Sequence, residues 1–402
     1  MGLFDLFGSK KKTAEAEAQQ AEERRLEQRR QAVEDLKKEH EGIKWPTPLP
    51  MNLLKTGGQA AAAGAAGITD PLTDERKEEV GALIYEQKIT PEDAAGLSLQ
   101  ELLFVMTAHI VFHKASPLPD YESNHRVFYN DLLRRIHEAS HLYILYDAAT
   151  GYPLIDSGFA LVYLDEEHAK TAAALYARQF RKAVVMDRAG EGYVPEDESK
   201  KQIPLFDYLY YLGMENVLID NGWYKAPVKR SEISAPPTFA VDPKKIPPAA
   251  PALAFAMCDF VGEMRWPVKY DKRDEVVRTK MDRMNALIPG ARYVVPVMAG
   301  TAGAPAEGEL ADGQSIPRQE VKFPLVEMKT PDGKTAKKFL PVFTDLFEYS
   351  RNFAQTDFKP AAFPYTSLLA FLAGNDGFVI NPKGQSIVVP KDRAPQIDPQ
   401  KK

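Results

Sequence analysis

Four sequence blocks recur in the same order on either side of a proline-crowded stretch at 225–251, and this internal repeat constrains the fold more than any other feature. Residues 126–146 (RVFYNDLLRRIHEASHLYILY) and 275–297 (EVVRTKMDRMNALIPGARYVVPV) each read as an amphipathic helix running into an apolar strand. Residues 152–156 (YPLID) parallel 323–327 (FPLVE). Residues 161–165 (LVYLD) parallel 341–345 (PVFTD), strands ending where Asp165 or Asp345 can cap the next helix through its carboxylate. The last block, 205–220 (LFDYLYYLGMENVLID), lies over 366–381 (TSLLAFLAGNDGFVIN) without a gap, each a short helix, a glycine stop and a strand. Each unit then ends in an expected hairpin, through Asn221-Gly222 to Trp223 in the first and through Pro382 and Gly384 to Ile387 in the second.

The pattern predicts an α+β or mixed α/β fold. Two related small sandwiches, each a mixed sheet backed by helices, follow a charged N-terminal helix. At 402 residues the chain has room for two cores. The expected organisation is a charged helix and flexible linker over 1–72, a helical lead-in with the first unit over 73–225, a proline-rich connector over 226–251, the second unit over 252–391 and a tail over 392–402. Residues 10–41 are nearly all Ala, Glu, Gln, Lys and Arg, a composition that favours helix; Leu26, Val33 and Leu36 are too few for a coiled-coil seam, which leaves a solvated single helix. Prolines 46, 48 and 50 stop it, and 57–67 (GGQAAAAGAAG) reads as linker. In the lead-in, Thr90-Pro91-Glu92 begins a helix by an N-cap and a proline in the first turn.

The second unit resembles the SseB (enhanced serine sensitivity) N-terminal domain. The resemblance rests on 339–345 (FLPVFTD), 365–372 (YTSLLAFL) and 377–384 (GFVINPKG), with the strand-Asn-Pro-x-Gly ending its most specific part. The first unit looks like a diverged copy, with Asp220-Asn221-Gly222 at that turn. The resemblance implies a bacterial cytosolic protein of a family linked genetically to serine sensitivity, with no catalytic residues to carry over.

The remaining features exclude more than they assign. Net charge −5, from 51 basic and 56 acidic residues, offers no footprint for nucleic acid. A single cysteine, Cys258, permits no intrachain disulfide and no four-thiolate metal site. No apolar run has the length of a membrane span, and Leu6 stands where a myristoylation signal needs Ser or Thr, so the expected compartment is cytoplasmic. There is no P-loop, dinucleotide fingerprint or nucleophile elbow, and no cofactor is expected.

Three functional readings follow. The leading one is a non-enzymatic interaction or regulatory protein with a protein partner; aromatic surface at Tyr210 and Tyr224, expected to face outward, and the turn of Asn381, Pro382 and Gly384 are its candidate binding residues. The second is a metal-dependent hydrolase. His137-Glu138-Ala139-Ser140-His141 is a literal H-E-x-x-H, which on one continuous helix would hold zinc with Glu138 as base. The repeat argues against it, because Pro289-Gly290 ends the equivalent helix. The third is weak peripheral membrane contact through Leu3, Phe4, Leu6 and Phe7, followed by Lys10-Lys11-Lys12. His109 and His113 share an apolar helix and read as packing residues.

Overall fold

The fold is described from a computed structural model, covering residues 20, 22, 24–48, 69–197, 199, 201–239, 241–242, 246–299, 309–310, 321–329 and 335–395. They fall into two compact units, one of residues up to Pro48 with Thr69–Leu132, the other from Leu133 onward.

The first unit is helical. Helix α1 (24–39) exposes most of its length, and Leu26 is 49% accessible. Its end is anchored: His40 is buried edge-on against Phe112, and the Trp45 ring packs on Phe104 and Phe112 while its Nε1 donates to Glu78 at 2.7 Å. Helices α2 (Asp74–Gly81), α3 (Pro91–Ala95), α4 (Leu99–Ala115) and α5 (Tyr121–Glu138) complete the unit; its boundary falls within α5. Helix α3 starts at Thr90 with a capping box to Asp93 and Pro91 in its first turn, as the sequence indicated. His109 on α4 is fully buried, Nδ1 to Nδ1 with His125 at 3.3 Å, and burial with two neighbouring imidazoles lowers its pKa to about 3.

The second unit is mixed α+β. Strands β1 (His141–Asp147), β2 (Tyr152–Pro153), β3 (Ile155–Asp156), β4 (Phe159–Tyr163), β5 (Ala183–Ala189), β6 (Asn216–Ile219) and β7 (Ala226–Lys229) form one sheet. Side by side run β5, β1, β4, β6 and β7, antiparallel except for the parallel pair β4 and β6. Helix α6 (Glu166–Arg178) covers one face, packing Ala169, Ala172 and Leu175 into a core with Leu145, Leu161 and Tyr163. Helices α7 (Leu205–Tyr211) and α8 (Arg230–Ile233) follow β5 and β7.

Helices α9 (Pro251–Arg265) and α10 (Arg273–Leu287) lead to the remaining strands: β8 (Arg292–Ala299), β9 (Glu309–Leu310), β10 (Val321–Lys322), β11 (Val326–Lys329), β12 (Ala336–Val342), β13 (Lys359–Pro364), β14 (Gly377–Ile380) and β15 (Ile387–Pro390). Between them come α11 (Leu346–Phe353) and α12 (Tyr365–Phe371). Here β13, β8, β12, β14 and β15 run side by side, with β12 and β14 the parallel pair. The core joins α9, α10 and α12 to these strands through Met257, Val261, Met284, Tyr293, Leu340, Phe363, Leu368 and Phe378.

Two expectations are corrected. The sheet of the last 140 or so residues is split: among the described residues β8 is joined to the residue just after β12 by the single Val294–Phe343 bridge, and Pro296 and Pro341 have no N–H to give to a longer ladder. The hairpin partner of β6 starts at Ala226, beyond Trp223 and inside the stretch expected to be irregular; β7 lies at the sheet's edge, the place where a strand tolerates Pro227.

Candidate functional site

In each half the chain leaves the carboxyl ends of a parallel strand pair, the position at which open α/β sheets gather ligands. In the later half β12 runs into Asp345, whose Oδ1 accepts the amides of Phe347 (2.8 Å) and Glu348 (3.0 Å) and caps α11. Strand β14 ends at Asn381, with φ +50°, a conformation asparagine tolerates better than branched residues. Buried Asn381 is fully committed: Oδ1 accepts from Thr344 N (3.0 Å), and Nδ2 donates to Thr344 Oγ1 (3.0 Å) and Gln385 Oε1 (2.9 Å). Gln385 Nε2 in turn contacts the Cys258 Sγ at 3.1 Å, and burial pushes that thiol up to about 12, leaving it inert.

What fills the crevice is a side chain from the other half. Tyr152, buried at the end of β2, donates its hydroxyl to Glu348 Oε1 at 2.8 Å and accepts from Arg351 Nη1 at 2.9 Å, while Arg351 also pairs with Glu348 at 3.0 Å. Burial pushes the Glu348 carboxyl above its ordinary value, and the Arg351 charge opposes it. Gly384 has no room for a side chain: a Cβ there would fall on the Tyr152 hydroxyl and lie 2.8 Å from Glu348 Oε2. A second joint lies at Arg181, which donates to Gly262 O (2.9 Å) and stacks over Trp266 at 4.0 Å.

The earlier half has a different set at the same topological place. Asp165 caps α6 through the amide of His168 (2.8 Å), and Asp220, φ +51°, ends β6. The His168 ring stacks on Trp223 at 4.1 Å with Nδ1 3.3 Å from Asp220 Oδ2. Burial works against a charged ring, but the bond and charge of Asp220, with Asp165, outweigh it and raise the His168 pKa. Asn221 accepts from Lys225 (3.1 Å) and donates to the Tyr176 hydroxyl (2.9 Å), which donates to Asp156 (2.5 Å).

Of the residues singled out in the sequence, Asn381, Pro382 and Gly384 are brought together at this crevice. Tyr210 is half-buried elsewhere, beneath the Arg230 guanidinium at 5.3 Å. Tyr224 does not face outward; it is 2% accessible, drawn in because β7 begins two residues later and carries the chain back onto β6. The H-E-x-x-H stretch is broken as the repeat implied: α5 ends at Glu138 and His141 opens β1. His137 donates to Ile233 O (3.1 Å) and His141 lies 3.0 Å from Asp187, so the two rings serve separate contacts. Among the described residues no group of three or more His, Cys, Asp or Glu side chains could hold a metal ion, and no helix is long and apolar enough to cross a membrane. Leu3–Phe7 lies outside the described residues. Sequence reasoning missed Tyr152, Glu348 and Arg351; the only local signal was Asp345, Glu348 and Arg351 at successive i,i+3 positions on one helical face.

Neither a curated protein nor a solved structure gives a significant match to the chain. Residues 273–393, which include β12, the Asp345-capped helix and the Asn381 turn, match the family model of the SseB protein N-terminal domain, and this part of the chain is similar to that domain.

Proposed function

We propose that the protein is a bacterial, cytoplasmic, non-enzymatic interaction or regulatory protein of the SseB family, carrying the SseB N-terminal fold in tandem, with the diverged copy, after its helical lead-in, within residues 73–225. Support for the tandem reading comes from strand register. Ala160, Leu161 and Val162 pair with Val217, Leu218 and Ile219, while Leu340, Pro341 and Val342 pair with Phe378, Val379 and Ile380. Both sequence overlays, 161 onto 341 and 217 onto 378, hold at once across these ladders. A one-residue slip would turn one strand's side chains to the opposite face.

The interaction reading is carried by one observation: the strand-end crevice of residues 273–393 takes a tyrosine from a neighbouring fold, gripped by Glu348 and Arg351. This convergence of a carboxylate and a guanidinium on a side chain from a neighbouring fold supports reading the crevice as a docking surface. Net charge −5 favours protein over nucleic acid as the external partner. Affinity capture of the full chain from its own cells after mild cross-linking is expected to return one recurrent partner near stoichiometry that survives a high-salt wash. Recovery of the chain alone contradicts the reading.

A further inference from the structure

Among the described residues, strand β5 has a partner on one side only. It pairs with β1 along its whole length, from Ala183 against Asp147 to Ala189 against His141, and among the described residues no strand lies on its outer edge. Strand β13 holds the same place in the other half, and there the outer edge is taken: β9 pairs antiparallel with it, Leu310 opposite Ala361 and Glu309 opposite Ala362. The fold thus accepts an extended antiparallel segment at this position. Alternation sorts the β5 side chains. Ala183 and Val185 pack toward α6, whereas Val184 and Met186 project from the other face, 42% and 38% accessible. Their cross-strand neighbours on β1, Ile144 and Tyr146, are buried, so apolar exposure on this face increases toward the open edge. Lys182 and Arg188 flank the apolar pair on the same alternation; Lys182 is exposed and makes no ion pair among the described residues, and Arg188 donates to the Tyr146 hydroxyl at 2.6 Å with its guanidinium 5.0 Å over the Tyr208 ring.

We infer that the β5 edge receives an extended peptide segment of a partner protein, with two apolar residues at alternate positions flanked by acidic ones, adding an antiparallel strand to the sheet. Open edges are templates for strand addition, in which main-chain bonds supply affinity and alternate side chains supply choice. The charge pattern selects the occupant. A second copy pairing β5 to β5 about a twofold axis sets Val184 against Met186 but also Lys182 against Arg188 at both ends, and like charges directly opposite are unfavourable. Acidic residues at those positions remove the conflict. This inference rests on the interaction reading for the nature of its ligand, while the capture experiment tests that reading independently of β5.

The probe is a capped, fluorescein-labelled peptide, Glu-Thr-Val-Thr-Ile-Thr-Glu, titrated against the full chain by fluorescence polarisation, beside the same peptide with lysine at both ends. The acidic peptide is expected to bind about tenfold tighter or better at low salt, with the preference shrinking as salt rises. Met186→Lys should weaken it by about tenfold by placing a charge beneath the apolar pair, and Lys182→Glu should shift the preference toward the lysine peptide. Both positions are exposed, and near-ultraviolet circular dichroism verifies that the variants fold. Absence of binding, equal binding of the two peptides, or indifference to Met186→Lys overturns the inference. So does a dimer of the intact chain that Met186→Lys dissolves, which would assign the edge to a second copy.

Discussion

Replacing Arg351 with methionine is expected to cost about 2–3 kcal/mol at pH 7.5 and distinctly less at pH 5, measured as urea midpoints at the two pH values. Arg351 is itself well exposed, but Glu348 is not: its side chain is 5% accessible, and without the guanidinium its carboxylate keeps, among the described residues, only the Tyr152 hydroxyl as a side-chain donor. The sign with pH follows from proton linkage. Burial already holds the Glu348 carboxyl above its ordinary value, and losing the opposing Arg351 charge raises it further. The folded variant then binds a proton that the unfolded chain releases, so its stability falls as pH rises from the ordinary carboxylate range through the raised folded value. Glu348→Gln in the same background should recover much of the loss at pH 7.5, because the amide can be buried without charge. A loss independent of pH would show that Glu348 is not the group left stranded.

Gly377→Ala is expected to be the more damaging change, about 3–5 kcal/mol and sufficient to empty the folded state of a marginal protein. Gly377 opens β14 with φ +145°, a conformation closed to side chains, and an added Cβ would fall on the Val389 carbonyl oxygen and lie 2.9 Å from the Pro390 Cα. Both neighbours are backbone of the paired β15 and cannot turn aside as a side chain would. Gly374, three residues earlier, is the control: no described residue lies within 4 Å of its Cβ position, and Gly374→Ala should stay within about 0.5 kcal/mol of the parent. Thermal unfolding of the two variants side by side separates the steric and conformational cost from a general effect of altering this loop.

The parts of the fold legible in the sequence were those carried by local chemistry. The strand-Asp-helix punctuation at Asp165 and Asp345 is a short-range hydrogen-bonding rule, and both residues do cap helices. The helix break before His141 was readable because its equivalent contains Pro289 and Gly290. What could not be read depends on separation along the chain. Tyr152 meets Glu348 across 196 residues, and nothing near either residue announces the other. The splitting of the later sheet, the place of β7 within the proline-rich stretch, and the burial of Tyr224 are likewise decided by which strands become edges, a property of the assembled sheet. Gly384 illustrates the difference: turn chemistry suffices to explain a glycine after Asn381 and Pro382, yet the closest neighbour it must accommodate is a tyrosine from the other half.

The proposed docking role of the strand-end crevice depends on Tyr152 being held there by its hydroxyl and not by its ring alone. A double-mutant cycle between Tyr152→Phe and Glu348→Gln tests it most directly. The phenylalanine keeps the ring and removes only the hydroxyl; the glutamine keeps the shape and removes the charge. The two losses are expected to be coupled by about 1–2 kcal/mol. Losses that add to within about 0.3 kcal/mol would contradict it, since residues that do not share an interaction do not couple.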